Sequence, residues 1–501
     1  MIAAVHDSAV LDVRRMGARG DGRALDHEPI NRAIAEAARG GGGTVMIPAG
    51  RYLCFSIRLA SRVTLVIGPG AVIEAADPAV HRGAYDLPEP TEHDLYQDFG
   101  HSHWHNSLIW GEGLESVAIL GPGLIDGAGL TRDGPGARWS GPGAHPQSMR
   151  GMATAALDRL EPARTAMNGQ GNKAIALKNC LHVTLEGFTI RKGGHFAILA
   201  TGVDGLAIEN LRIDTDRDGI DIDACRRVRI AGCRINSPND DAICLKSSLA
   251  LGFPRATEGV TISDCTVSGF DMGTMLDGTR GRTQQLAPDQ DRVTGRIKLG
   301  TESNGGFRDI AISNCTFERC RGLALETVDG GALEDVTVSN QTMREVTTAP
   351  LFLRVGARLR GLEGLSPGRM RRISISNLNA TGIDPRFAAS IVGLPESKVE
   401  DVSLSNVRFK YGGGGTPEQA AQTVPENRDT YPEPSMFGVL PVSGLFIRDA
   451  RDIRIDGLEL TTSAPDARPP VLVECAEDIR FTHLTAAAAP VVRNCRNVTF
   501  E

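Results

Sequence analysis

Aromatic residues make up only 5% of this 501-residue chain, and no apolar run approaches the ~18–20 residues needed to cross a bilayer. A membrane-spanning protein is therefore not expected. The first ten residues, MIAAVHDSAV, lack the basic stretch and apolar core of a signal peptide, so any leader is expected to have been removed. Excess charge is scarce too: 54 Lys and Arg face 61 Asp and Glu, a formal charge of −7. Nothing global draws in nucleic acid or an anionic lipid surface, and an anionic substrate would need a local basic patch. The ten cysteines do not form an evident disulfide framework. Cys180, Cys225, Cys233, Cys265 and Cys315 flank short β-branched runs and read as small buried core residues. What is abundant is glycine, 58 residues, within a composition of 41% hydrophobic and 23% charged residues that suits a folded chain. Many turns and few aromatic anchors suggest repetition.

A short alternating strand, a Gly, Asn or Asp, and a second apolar pair recur along the chain. Examples are HVTLEGFTI (182–190), GLAIENLRI (205–213), RVRIAGCRI (227–235), GVTISDCTV (259–267), DIAISNCTF (309–317) and DIRIDGLEL (452–460). The first apolar positions Val183, Leu206 and Val228 are 23 and 22 residues apart, and later spacings lengthen. A period of this size with strand alternation and no helical half predicts a solenoid of parallel strands, an all-β parallel β-helix whose coils stack at ~4.8 Å. An antiparallel sandwich would need hairpin turns that are not seen. HEPINRAIAEAARGGGG (27–43) is the one clear amphipathic helix, with Ile30, Ala33, Ile34, Ala37 and Ala38 on one face, and is expected to cap the open end. Residues 44–55 follow as a first strand pair. Excess spacing marks loops at 81–112, 131–171, 245–258, 278–294 and 411–441, within a single domain spanning 1–501.

The densest chemistry falls on two successive coils, IDTDRDGIDID (213–223) and NSPNDDAICLKS (236–247). Asp218 and Asp240 are 22 residues apart, one coil, so Asp218 and Asp221 are expected within several ångström of Asp240 and Asp241. Asp-Gly and Asn-Asp pairs often do no more than form turns, but two such clusters in register read as a site. Carboxylates so gathered should raise at least one pKa, as an acid paired with an ionised base requires in glycoside hydrolysis. A calcium site is the alternative.

DGIDID, an NDD one coil later, and RIK at 296–298 resemble glycoside hydrolase family 28, the polygalacturonases, over about residues 1–500. The resemblance implies a right-handed, pectin-lyase-like β-helix that hydrolyses α-galacturonosyl bonds with inversion, needs no metal or cofactor, and works in a periplasmic or secreted setting on an oligo- or polysaccharide. It implies Asp240 as general acid and Asp218 and Asp241 as the carboxylates that activate water, with Asp221 as the second Asp of the motif. Inversion leaves room for a water, roughly 6.5 to 9.5 Å between carboxyl groups. The family's Asn-Thr before the first catalytic Asp is absent here, and GFDMGTMLDG (269–278) has no histidine where the family has GHG. His195, on an earlier coil, is the candidate to enter the same cleft as a substrate contact. Arg296 and Lys298 are expected to bind an acidic sugar. By distance from NDD they occupy the family's RIK place; by coil register that place falls on GLALET (322–327), with Glu326 replacing the lysine. The long loops at 81–112, 131–171, 278–294 and 411–441 are expected to close the cleft ends and favour exo action. A rhamnogalacturonan or other unusual glycoside is the alternative substrate, and a β-helix lyase or a glycan-binding protein the more distant readings.

Overall fold

The computed structural model describes residues 10–90, 100–134 and 164–501, together with 153 and 155. The chain winds into a right-handed parallel β-helix. Successive coils repeat three strands: Phe196–Thr201, Asp204–Glu209 and Arg212–Asp214 lie above Asp218–Asp223, Arg226–Ala231 and Arg234–Asn236. Every paired strand among the described residues runs parallel to its neighbour, as in Ile198 on Ile220 and Leu206 on Val228. This excludes the sandwich.

Alternation explains the core. Ile198, Ile220, Ile243 and Ile297 form one inward column and are all fully buried; each contributes on the order of 1.5–3 kcal/mol by leaving water. All ten cysteines are unpaired thiols and eight of them are buried, including the five expected in the core. At one corner of the coil the backbone enters the left-handed region, with φ of 57° at Asp264, 56° at Asn314 and Asn340, 54° at Asn377 and 52° at Asn406. Short polar side chains tolerate that conformation. The amides then hydrogen-bond from coil to coil, Asn314 to Asp264 at 3.2 Å, Asn340 to Asn314 at 3.0 Å, Asn377 to Asn340 at 2.9 Å and Asn406 to Asn377 at 2.8 Å.

The helix is shorter than the sequence pattern suggests. It spans His27–Arg39 and buries Pro29, Ile30, Ala33, Ile34 and Ala37, while Ala38 is only partly buried and Gly43 already opens the strand Gly43–Ile47. Two strands also precede it: Val10–Asp12 pairs with Gly43–Ile47, and Asp21–Leu25 pairs with Gly50–Cys54. The helix thus covers the end of the solenoid from within the first coil. Several expected loops overlap strands at their edges, since Ile109–Glu112, Ile243–Ser247, Thr257–Ser263 and Val399–Tyr411 are all paired. Residues 91–99 of the first loop and most of 135–163 in the second lie outside the described residues. No described helix is long and apolar enough to cross a membrane.

Candidate active site

The site lies on the outward face of one sheet, where four consecutive strands, Asp218–Asp223, Ile243–Ser247, Ile297–Ser303 and Leu323–Thr327, stack in order. Inward positions are the isoleucines and leucines of the core, so the intervening residues point out into the cleft. The coil is one residue longer here than the spacing of Asp218 and Asp240 suggests. Ile220 pairs with Ile243, and the Gly219 amide donates to the Asp241 carbonyl at 3.0 Å. In backbone register Asp218 therefore falls level with Asp241, while its carboxylate lies close to that of Asp240.

The expected residues do converge. One oxygen each of Asp218 and Asp240 and one ring nitrogen of His195 lie within 4.8 Å of one another, a grouping that could also hold a metal ion. His195 Nε2 is 4.0 Å from Asp218, while its Nδ1 donates to the Arg132 carbonyl at 2.6 Å. His195 therefore reaches the acids from the preceding coil. Burial and nearby cations push its pKa well below the ordinary histidine value, leaving a neutral ring. Asp221 accepts from Lys246 at 2.8 Å, and the same ammonium is 4.0 Å from Asp218.

The carboxylates have contrasting proton affinities. Burial, then the neighbouring Asp221 and Asp240 charges, push Asp218 well above the usual range. Burial also raises Asp221, to about 7, against the pull of Lys246. Asp240 is raised by burial despite Arg217 at 3.4 Å. Asp241 goes the other way: desolvation is outweighed by Arg296 at 2.8 Å and Lys298 at 3.4 Å, which hold it at about 2. Asp240 is also the most open of the three acids, its side chain 21% exposed against 6% for Asp218 and 5% for Asp241.

The two segments proposed for the RIK place lie on consecutive strands of the same sheet. Ile297–Ser303 pairs directly with Ile243–Ser247, and Leu323–Thr327 follows on the next coil. Glu326, which the coil-register alignment sets in the lysine's place, is 3.9 Å from Lys298 on the preceding coil. Glu326 is fully buried with neither carboxyl oxygen hydrogen-bonded, and burial raises it to about 7. Arg296 and Lys298 do reach the acids, but they meet them as ion-pair partners and not as an open basic patch.

Sequence reasoning missed four contributors. Lys246 lies beneath Asp223 and could have been found by carrying the DxD alternation to the CxK of the next coil. Arg217 is pinned by Asp289, at 3.0 and 2.7 Å, from the loop at 278–294. Tyr431, from the loop at 411–441, brings its hydroxyl to 3.4 Å from Lys298; no local signal marks either loop residue. The loops also close the face. Trp104 is fully buried over Ala176, Phe196, Leu199 and Ala250, with its indole N–H donating to Thr201 at 3.0 Å. On the far side Met436 and Phe437 pack over Phe352 and Phe446.

A parallel solenoid with an acidic cleft on its outer face defines the class. Residues 173–356, the part that carries this cleft, match the family model described as "right handed beta helix region". Among curated proteins the chain is similar to a probable polygalacturonase from Vitis vinifera, 24% identical over 361 residues, covering 69% of this chain and 62% of that protein. The chain thus spans less than two thirds of that relative's length. Among solved structures it resembles an exopolygalacturonase from Thermotoga maritima with a TM-score of 0.61 at 19% identity, covering 90% of this chain and 92% of that one. It also resembles a family 28 exopolygalacturonase from Yersinia enterocolitica with a TM-score of 0.63 at 17% identity, covering 98% and 78%.

Proposed function

We propose that this protein is a polygalacturonase-like glycoside hydrolase that acts on the chain ends of a uronate-containing, pectic glycan. The observation that carries the reading is the opposed perturbation of two adjacent acids: Asp240 raised and partly open, Asp241 held at about 2. Environments that drive neighbouring carboxyls apart separate an acid from a base. Asp240 donates its proton to the glycosidic oxygen as the bond breaks, and a water attacks the anomeric carbon. Asp241, the acid held ionised, accepts the water's proton, and Asp218 beside it helps to position that water. Until the transfer, the Asp241 charge offsets the positive charge that develops on the sugar ring. His195 orients groups beside Asp218, and Lys246 limits repulsion between Asp218 and Asp221.

The names of the similar proteins support the pectic substrate, and the walls formed by Trp104 and by residues 431–437 support exo action. Inversion is part of the proposal on the strength of the resemblance. An inverting pair leaves ~6.5–9.5 Å between its carboxyl groups for the attacking water, and a retaining displacement through a covalent intermediate is the competing outcome. Proton NMR of the first-formed product separates the two: a sugar released with the configuration of the bond cleaved would refute inversion. A neutral or mixed glycan such as a rhamnogalacturonan is the second reading, favoured because Arg296 and Lys298 are already paired with Asp241. Incubation with polygalacturonate and with rhamnogalacturonan, followed by sizing of the products, tests the substrate. Monomer release from the first supports the main reading; no product from either overturns the hydrolase.

A further inference from the structure

Beside the acids, on the flank away from Arg296, lies a cavity of about 270 Å³ lined by Leu130, Arg132, Lys192, Asp216, Met272 and Gln284 among others. It is small beside the ~300–1,000 Å³ of drug-sized pockets, suited to one sugar unit rather than a run of them. Its floor is fixed: Asp216 accepts from Arg132 at 2.8 Å and from both Asn239 and Gln284 at 2.6 Å. The cavity is tied directly to the acids. Asp216 lies two residues before Asp218, Asn239 precedes Asp240, and the Arg132 carbonyl receives the His195 N–H. Leu130 and Met272 offer an apolar surface for the C–H face of a pyranose ring.

Lys192 is the exception to the charge balance. The cations around the acids each have a carboxylate: Arg217 has Asp289, Lys246 has Asp221, and Arg296 and Lys298 share Asp241. Lys192 is exposed at the cavity and has no ion-pair partner among the described residues. Its backbone is firmly placed, because a Cβ on Gly127 would fall 1.9 Å from the Lys192 carbonyl oxygen, so only glycine lets the two segments meet. With Arg132 and Asp216 cancelling, the cavity carries one net positive charge, from Lys192.

We propose that this cavity is a subsite for a single acidic sugar, whose carboxylate is held by Lys192 while its ring lies against Leu130 and Met272. The proposal deepens the glycan-hydrolase reading and rests on it for the sugar class: uronate recognition moves from Arg296 and Lys298, which the acids occupy, to a lysine one step away. The test is calorimetric binding of trigalacturonate and of the same trimer with its carboxyls reduced to alcohols, using Asp240→Asn protein with and without Lys192→Met. Loss of a charge-assisted hydrogen bond should weaken binding of the acidic trimer about ten-fold or more, flatten its salt dependence, and leave the reduced trimer within about two-fold. Equal weakening of both trimers, no weakening of either, or no binding of the acidic trimer overturns the subsite. Hydrolysis of uronate glycans by the wild type is scored separately. If hydrolysis is absent while Lys192-dependent binding persists, the hydrolase reading fails and the subsite stands; if hydrolysis is present without dependence on Lys192, the reverse holds.

Discussion

Replacing Arg296 by Met tests the electrostatic design of the site. Arg296 and Asp241 meet at 2.8 Å with side chains only 2% and 5% exposed, so solvent screens the pair little. In the folded protein Asp241 is held at about 2, against 3.8 when free of the fold. At ~1.4 kcal/mol per unit this amounts to about 2 kcal/mol of stability at neutral pH. Because the folded value is depressed, the contribution is complete above about pH 4 and is lost as pH falls toward 2. Removing Arg296 leaves Asp241 buried with Lys298 at 3.4 Å as its remaining close cation, and breaking such a pair costs about 3–5 kcal/mol. Denaturant unfolding followed by circular dichroism at pH 7 should show that loss. With the Asp241 pKa then raised by burial, the variant should lose stability as pH increases through the new value, the opposite of the wild-type trend. Adding Asp241→Asn to Arg296→Met should recover most of the loss, since the cost is an uncompensated charge. A double variant no more stable than Arg296→Met alone would refute the reasoning.

Asp240→Asn should lower turnover by ~10²- to 10⁴-fold with the fold retained, read by reducing-sugar release and thermal unfolding; a variant with more than about a tenth of the wild-type rate would assign the acid elsewhere. The rate should decline as pH rises through the elevated pKa of Asp240, because the proton donor is then lost, and Asp240→Glu should keep a descending limb that Asp240→Asn lacks in its residual rate. Trp104→Ala should cost about 3–5 kcal/mol and open one end of the cleft, so that oligomers join monomer among the products; unchanged monomer release would remove that wall from the exo argument. Lys298→Ala should remove the stronger of the two cations acting on Glu326, Arg296 being the other, and raise its pKa further, read by carbon NMR as a carboxyl titration whose midpoint moves to higher pH; a midpoint moved to lower pH would refute the assignment.

The solenoid was legible because its physics is periodic. Alternation along each strand and a polar corner residue every coil leave a signature that needs no tertiary information, and Val183, Leu206 and Val228 fall in the column the spacing predicts. The first coil was not legible: Val10–Asp12 is three residues long, and Asp21–Leu25 has no buried position to produce an alternating pattern. Asp218, Asp240, Asp241 and His195 could be brought together from sequence since residues one coil apart are neighbours. The 23-residue register, which pairs Ile220 with Ile243, could not, because a single added residue in the turn shifts it from the 22-residue spacing of Asp218 and Asp240. Asp289 and Tyr431 arrive on insertions whose course depends on packing against the finished solenoid, and nothing local in 278–294 or 411–441 encodes that course.

The stacked corner amides from Asp264 to Asn406 have a consequence for how the chain assembles. Each amide donates to its counterpart on the previous coil, and Asn314, Asn340 and Asn377 also accept from the coil that follows, at 2.8–3.2 Å. A coil threaded one position out of step would set Ser376 or Leu378, in place of Asn377, against Asn340, and would turn its apolar side chains to water. The ladder therefore favours the in-register winding over a turn threaded one position out of step, in addition to what the core gains.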